Sequence, residues 1–265
     1  MITISVANQK GGCGKTTTAV NLSAALAMTG KRVVLIDLDP QGHATLGVGC
    51  DPDQCERTIY DVMSNGLTPF SFASSRTSVN GLDIVPSNVL LSGLETEIST
   101  MYGREYLLHS RLGQIDNLYD VCVIDCSPSL SLLTLNALVA SDGLIVPVQT
   151  QYYSLEGLKQ LLETVSIVRE RFNPVLDILG ILLTCYESRT LLSKQVESQM
   201  RDHFGNLVFK TIIHRTVRIA ESPGAGLPVV YYDPACKGSL EYKSLADEID
   251  HEIKIRTTQA SFLNI

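Results

Sequence analysis

The sequence predicts an α/β fold: one doubly wound, mainly parallel sheet with helices on both faces. Three observations carry that expectation. Short apolar runs alternate with helical patterns along the whole 265-residue chain, as repeated strand–helix units require. Several runs are continuously apolar instead of alternating, which suits strands covered on both faces. A glycine-rich stretch joins the first run to the first helical pattern, the arrangement that cradles phosphate groups.

The runs are Ile2–Val6, Arg32–Ile36, Leu82–Val85, Val121–Ile124, Gly143–Val148 and Asp177–Leu183. After the first, Ala19, Leu22, Ala25 and Leu26 recur at helical spacing, and Gly30 is placed to end that helix. Amphipathic helices are expected at Asn88–Thr100 and Arg104–Ile115. A last helix is expected at about Leu240–Ile253, followed by a polar tail, Arg256–Ile265. Leu67–Asn80, rich in Ser, Thr, Asn and Gly, reads as a surface loop. The expected organisation is one domain over residues 1–265. The chain enters its first strand at once, which leaves no room for a signal peptide or an N-terminal helix-turn-helix extension.

The glycine-rich stretch reads Val6-Ala7-Asn8-Gln9-Lys10-Gly11-Gly12-Cys13-Gly14-Lys15-Thr16-Thr17-Thr18. Backbone N–H groups from Gly11 to Thr17 would close around phosphate oxygens, aided by the partial positive charge of a helix N-terminus. Lys15 would reach the β- and γ-phosphates and the Thr16 hydroxyl would sit on Mg²⁺. The strict P-loop pattern fails because Gln9 stands where its first glycine belongs. A second lysine, Lys10, precedes Lys15 by five residues, and the stretch is a deviant Walker A motif. ATP and Mg²⁺ are the expected cofactors.

Asp37 ends the second run and Asp125 the fourth. Both carboxylates should face the phosphate loop at the sheet's carboxyl edge, to hold Mg²⁺ directly or through a water. Asp39 lies two residues further, on the loop that begins Pro40-Gln41-Gly42. His43 and Thr45 read as ordinary members of that loop.

With 45% hydrophobic and 18% charged residues the chain can bury a substantial core, and no apolar stretch is long enough to span a bilayer. A soluble cytoplasmic protein is expected. The seven cysteines lack metal-ligand spacing and read as reduced thiols. Net charge is −7, so nucleic acid could be held only by a local patch. Tyr186–Arg218 offers one: six Lys/Arg against three acids give +3, leaving −10 for the remainder.

These residues resemble the ParA/MinD family of dimerising ATPases, and the resemblance extends through most of the chain. Asp37-Leu38-Asp39-Pro40-Gln41-Gly42 is similar to the family's second motif, and Asp125-Cys126-Ser127-Pro128-Ser129 to its Walker B and switch region. Val146-Pro147-Val148-Gln149 with Tyr152-Tyr153-Ser154-Leu155-Glu156-Gly157-Leu158, and Val217-Arg218-Ile219-Ala220-Glu221, narrow the likeness to ParA/Soj-type partition proteins.

The resemblance implies that Asp39 positions the attacking water and that Lys10 crosses a two-fold interface to the ATP of the other subunit. It implies an adenine site between Thr184-Cys185-Tyr186 and the Ile213–Pro223 segment. There this chain reads His214-Arg215-Thr216-Val217-Arg218, where relatives commonly have Pro-Arg-Asn-Val-Arg. Arg189 and Arg218 fall where relatives place DNA-contacting arginines, with Arg215 beside them. The implied function is an ATP-dependent dimeric switch that binds DNA non-specifically and positions chromosome, plasmid or other cargo. A ParB-like protein would stimulate it, and it would be nucleoid-associated in the ATP state. Alternatives are a membrane-bound MinD-like regulator, which the poorly basic tail disfavours, an electron-transfer ATPase, and a positioner of non-DNA cargo.

Overall fold

The computed structural model describes residues 1–64, 68–151 and 154–263, the side chains of 154–157 and 255–263 excepted. Tyr152 and Tyr153 of the family motif lie outside the described residues. Among those described, eight strands form one sheet: β1 (Ile2–Val6), β2 (Val33–Leu38), β3 (Ser75–Arg76), β4 (Leu82–Val85), β5 (Val121–Cys126), β6 (Gly143–Gln149), β7 (Asp177–Tyr186) and β8 (Val208–His214). Their order is β3-β4-β2-β5-β1-β6-β7-β8. All neighbours are parallel except the two-residue β3, which runs antiparallel to β4 at one edge.

The helices are α1 (Lys15–Met28), α2 (His43–Gly47), α3 (Ile59–Ser64), α4 (Phe70–Ala73), α5 (Leu91–Ile98) and α6 (Leu107–Leu112) in the first half. The second half adds α7 (Leu132–Val139), α8 (Ser154–Arg171), α9 (Leu191–Phe204), α10 (Val217–Glu221), α11 (Val229–Tyr232) and α12 (Lys237–Leu263). Among the described residues no helix is long and apolar enough to cross a membrane.

Alternate residues of the inner strands enter opposite cores, as the pleat dictates. Val33 and Leu35 of β2 pack with Leu22 of α1 and Leu245 of α12, whereas Val34 and Ile36 pack with Leu94, Leu133 and Leu161 on the other face. β1 sits centrally, between β5 and β6. The chain leaves it for β2 on one side and later crosses to β6 on the other, and the carboxyl edge beside such a reversal is where doubly wound sheets bind ligands.

The structure corrects the sequence reading in three places. Leu67–Asn80 is not wholly loop: it contains α4, whose Phe70 and Ala73 are buried, and the exposed edge strand β3. Apolar side chains hidden in a polar stretch, and a two-residue strand without a buried face, leave no periodic signal. The terminal helix runs through the stretch read as a tail to Leu263, because no glycine or proline follows Gly238 to end it. β8 was not anticipated; it is an edge strand whose centre carries exposed Lys210, which interrupts its apolar run.

Close packing at this edge is testable. A methyl carbon added at Gly180 would lie 2.6 Å from two ring carbons of the buried Phe209, whereas at Gly113 the nearest atom would be 3.7 Å away. Gly180→Ala should lower unfolding free energy by about 1–3 kcal/mol. Gly113→Ala should be neutral or slightly stabilising. Urea denaturation of both variants checks the difference, and equal midpoints would contradict it.

Candidate active site: a phosphate loop facing two buried carboxylates

Strand register assembles this site. Val6, the last residue of β1, is paired with Asp125 of β5, and Asp125 is paired in turn with Asp37 of β2. The phosphate loop leaves β1 at the next residue. Three adjacent parallel strands therefore deliver the loop and both carboxylates to one edge.

The loop is held by its neighbours. Asn8 donates to the Pro147 carbonyl of β6 at 2.7 Å and accepts the Lys10 N–H at 3.1 Å. The Thr184 hydroxyl of β7 donates to the Cys13 carbonyl at 2.7 Å. Gly14 caps α1 in the left-handed region, φ 87°, which favours glycine, and no side chain caps the first turn. The first N–H groups of this 14-residue helix thus lack side-chain acceptors, and Gly11 and Gly12 border open space. Lys15 is nearly buried and its ammonium donates to the Lys10 carbonyl at 3.1 Å. That carbonyl also accepts the Cys13 thiol at 3.1 Å. Lys10 is half-buried, and its Nζ donates to Gln151 Oε1 at 3.2 Å. Thr16 and Thr17 follow in the first turn of α1.

The two carboxylates have opposite circumstances. Asp37 is fully buried and well satisfied. Its Oδ1 accepts the Asp39 N–H at 3.1 Å, and its Oδ2 accepts the Thr45 N–H at 2.8 Å and hydroxyl at 2.7 Å. Burial still raises its pKa to about 6 against these donors. Asp125 is equally buried, yet neither of its oxygens makes a well-formed hydrogen bond. Burial first, then the neighbouring Asp37 charge, push it well above the carboxylate range; the Thr16 hydroxyl and Lys15 ammonium pull the other way. An unpartnered buried carboxylate beside a threonine hydroxyl and a phosphate loop suits a divalent cation, which would relieve the mutual repulsion. Among the described residues no three His, Cys, Asp or Glu side chains form a metal cluster. Such a cation would therefore draw further ligands from Thr16 and phosphate oxygens.

Asp39 is mostly buried at the start of the α2 loop, its Oδ1 accepting the Gln41 N–H at 3.0 Å. The structure thus brings Lys15, Thr16, Asp37, Asp39 and Asp125 to one edge. Sequence reasoning missed Thr45, which is wholly buried in the hydrogen-bond system of Asp37. No local pattern marks that role.

Beside the loop lies a cavity of about 290 Å³ bordered by Gly14, Thr17, Cys185, Ile213, Pro223 and Tyr242, among others. It joins the phosphate loop to both residues expected at a base site, Ile213 and Pro223. Cys185 has φ 50°, the one left-handed non-glycine residue among those described, strain of the kind that gathers at ligand sites. His214 also lines the cavity. Its ring lies 2.6 Å from Glu241 Oε1 and 3.0 Å from Ser188 Oγ, and its N–H donates to Glu241 Oε2 at 2.9 Å.

The three arginines gather at the carboxyl ends of β7 and β8 but differ in availability. Arg189 is exposed and forms no ion pair among the described residues. Arg215 pairs with Glu187 at 3.1 Å. Arg218 is held by Glu221 at 3.0 Å and Asp233 at 3.1 Å.

The raised pKa of Asp37 has a measurable consequence. A carboxyl whose folded pKa stands above its unfolded value favours the fold fully below the unfolded value, about 3.8, and loses that contribution as pH rises through about 6. The wild-type stability advantage over Asp37→Asn should therefore shrink between pH 4 and pH 7, by about 3 kcal/mol at most. Urea unfolding of the nucleotide-free proteins across that range checks it, and a pH-independent difference would contradict the assignment.

The AAA domain family matches residues 1–178. The Bacillus subtilis sporulation initiation inhibitor protein Soj is 45% identical over 93% of this chain and 97% of its own length. Chromosome partitioning protein ParA of Caulobacter vibrioides is 44% identical over 97% of each chain. Among solved structures, a Mycobacterium smegmatis protein described as cobyrinic acid a,c-diamide synthase, with bound ADP and magnesium, superposes with a TM-score of 0.82 at 38% identity, covering 93% of both chains. McdA of Cyanothece shares the fold, with a TM-score of 0.83 at 20% identity over 96% of each chain. With this site geometry and these relatives spanning nearly its whole length, the chain belongs to the ParA/Soj family of AAA-domain partitioning proteins.

Proposed function

We propose that this chain is an ATP-dependent switch: it dimerises around ATP and Mg²⁺, binds DNA without sequence preference in that state, and hydrolyses ATP to segregate or position chromosome, plasmid or other cargo. The observation that carries the reading is the buried, unpartnered Asp125 carboxylate beside Thr16 and the phosphate loop. The Soj and ParA relatives and the ADP–magnesium structure support it.

The N–H groups from Gly11 to Thr17 and the Lys15 ammonium bind the phosphates. Thr16 and Asp125 would hold Mg²⁺, which when bound would supply charge neutralisation for phosphoryl transfer. Asp37, whose oxygens already accept three hydrogen bonds, would support the metal site by its charge. Asp39 orients the attacking water. Lys10 acts in trans on the partner's nucleotide, which ties turnover to dimerisation. Ile213 and Pro223 hold the base in the neighbouring cavity. A ParB-like protein stimulates hydrolysis, and the cytoplasmic protein associates with the nucleoid in its ATP state. Arg189, Arg215 and Arg218 contact DNA phosphates.

Two measurements test this. Asp39→Ala should lower steady-state ATP turnover by about 100-fold or more and leave Mg-ATP binding intact, whereas Lys15→Gln should lose binding itself. Phosphate release and titration calorimetry read the two effects, and wild-type turnover by Asp39→Ala would remove it from the mechanism.

For DNA, about four neutralised phosphates per dimer give a log-affinity against log-salt slope near −3.6. Binding should be tight with ATP and weak with ADP. Arg189→Glu is the cleaner variant, because Arg218→Glu would place a third carboxylate beside Glu221 and Asp233. Fluorescence anisotropy on unrelated duplexes should show binding lost in Arg189→Glu with ATPase activity retained. Equal affinity in both nucleotide states would overturn the DNA switch.

A further inference from the structure

The loop after β2 is gripped by one side chain whose chemistry is specific. Thr45 lies at its far end, fully buried, eight residues from Asp37. Its N–H donation to Asp37 Oδ2 could come from any residue. Its hydroxyl does two things at once: it donates to the same carboxylate oxygen at 2.7 Å and accepts the Ser87 N–H at 3.0 Å. Ser87 follows β4 and is fully buried, so its N–H has no access to water. Asp37 Oδ1 meanwhile receives the N–H of Asp39 at the near end of the loop. Gly42, between the two ends, stands against the same connection: a methyl carbon there would lie 3.2 Å from the Ser87 carbonyl oxygen.

One carboxylate thus ties both ends of the 39–45 segment, and one hydroxyl ties that carboxylate to the neighbouring strand connection. Between the ties, Asp39 Oδ1 is engaged by Gln41 N–H and the Asp39 carbonyl by Gly42 N–H, each at 3.0 Å. The direction of the Asp39 carboxylate therefore depends on where the loop ends are held.

We propose that Thr45 is a positioning residue for hydrolysis: its hydroxyl, bridging Asp37 and the Ser87 N–H, fixes the loop that aims Asp39. The inference rests on the ATPase reading given above. It requires a hydroxyl and not merely a β-branched shape, because an O–H both donates to a carboxylate and accepts an N–H, which a methyl group cannot do and a thiol does only weakly. Thr45→Val keeps the volume and loses both bonds; Thr45→Ser keeps both.

The test compares the full-length wild type with Thr45→Val, Thr45→Ser and Thr45→Cys, the last a weaker donor of similar size. Steady-state hydrolysis is measured against Mg-ATP concentration, together with amide hydrogen exchange over residues 39–45. Thr45→Val should lower kcat by about 10- to 100-fold, the worth of a hydrogen bond to a charged group, with KM within about threefold of wild type. Thr45→Ser should restore kcat to within about threefold, with Thr45→Cys intermediate. Exchange over 39–45 should be faster by about tenfold in Thr45→Val and unchanged in Thr45→Ser.

Wild-type kcat in Thr45→Val would overturn the inference. So would a loss of kcat that Thr45→Ser does not recover, because a packing role alone predicts it. If Thr45→Val does not fold, the order of Thr45→Ser above Thr45→Cys still decides. Should the wild type hydrolyse no ATP, the ATPase reading fails separately. The exchange comparison then judges the loop: faster exchange in Thr45→Val alone supports Thr45 as its anchor, and equal exchange removes it.

Discussion

Two carboxylates in register on neighbouring buried strands impose the main constraint on this structure. Asp37 and Asp125 are both inaccessible to water and face one another across the β2–β5 pairing. Burying two like charges so close is unfavourable: burial raises both pKa values, and the Asp37 charge pushes Asp125 up further. The fold answers the two differently. Around Asp37 it folds a whole loop, so that two N–H groups and a hydroxyl converge on one carboxylate. Around Asp125 it supplies no such donors, only the nearby Thr16 hydroxyl and Lys15 ammonium. A site that compensates one acid internally and leaves the other open has built a place for an external positive charge.

The same asymmetry explains what could be read from the sequence. Lys15, Thr16 and Asp125 were legible because each is fixed by local order: a glycine-rich turn between strand and helix, and an acid at a strand end. Most strands were legible because helices cover both faces and demand continuous apolar runs. Thr45 was illegible because its role is a hydrogen bond across a closed loop and a second one with Ser87, in a connection remote in sequence. Sequence spacing carries no trace of either. β8 was illegible for a complementary reason. As an edge strand it is only partly buried, so Lys210 and Thr211 interrupt the apolar run.

The cavity beside the phosphate loop lies between these extremes. Ile213 and Pro223 line it with Gly14 and Thr17. The departure at His214 changes how its wall is held. A proline at that position would present no N–H, whereas His214 donates its N–H and aligns its ring to Glu241 of α12. Its other ring nitrogen meets Ser188 just past β7. The substitution thereby links the terminal helix to the loop that carries Arg189, through a wall of the cavity.

That link bears on why a protein of net charge −7 would use arginines at this corner at all. Arg215 and Arg218 already satisfy carboxylates of their own chain, at 3.1 Å and 3.0–3.1 Å. If DNA is the partner, as proposed, its phosphates would have to compete with Glu187, Glu221 and Asp233 for them, and the net gain from each exposed exchange is small. Weak contacts become useful when several act at once from a rigid frame, because the second set binds at the high effective concentration created by the first. On the proposed reading, paired arginines keep a single protomer off DNA, and dimerisation supplies the duplication that makes their small gains sufficient. The acidic partners would then be part of the switch, since they hold the affinity of one protomer low enough for nucleotide-driven dimerisation to matter.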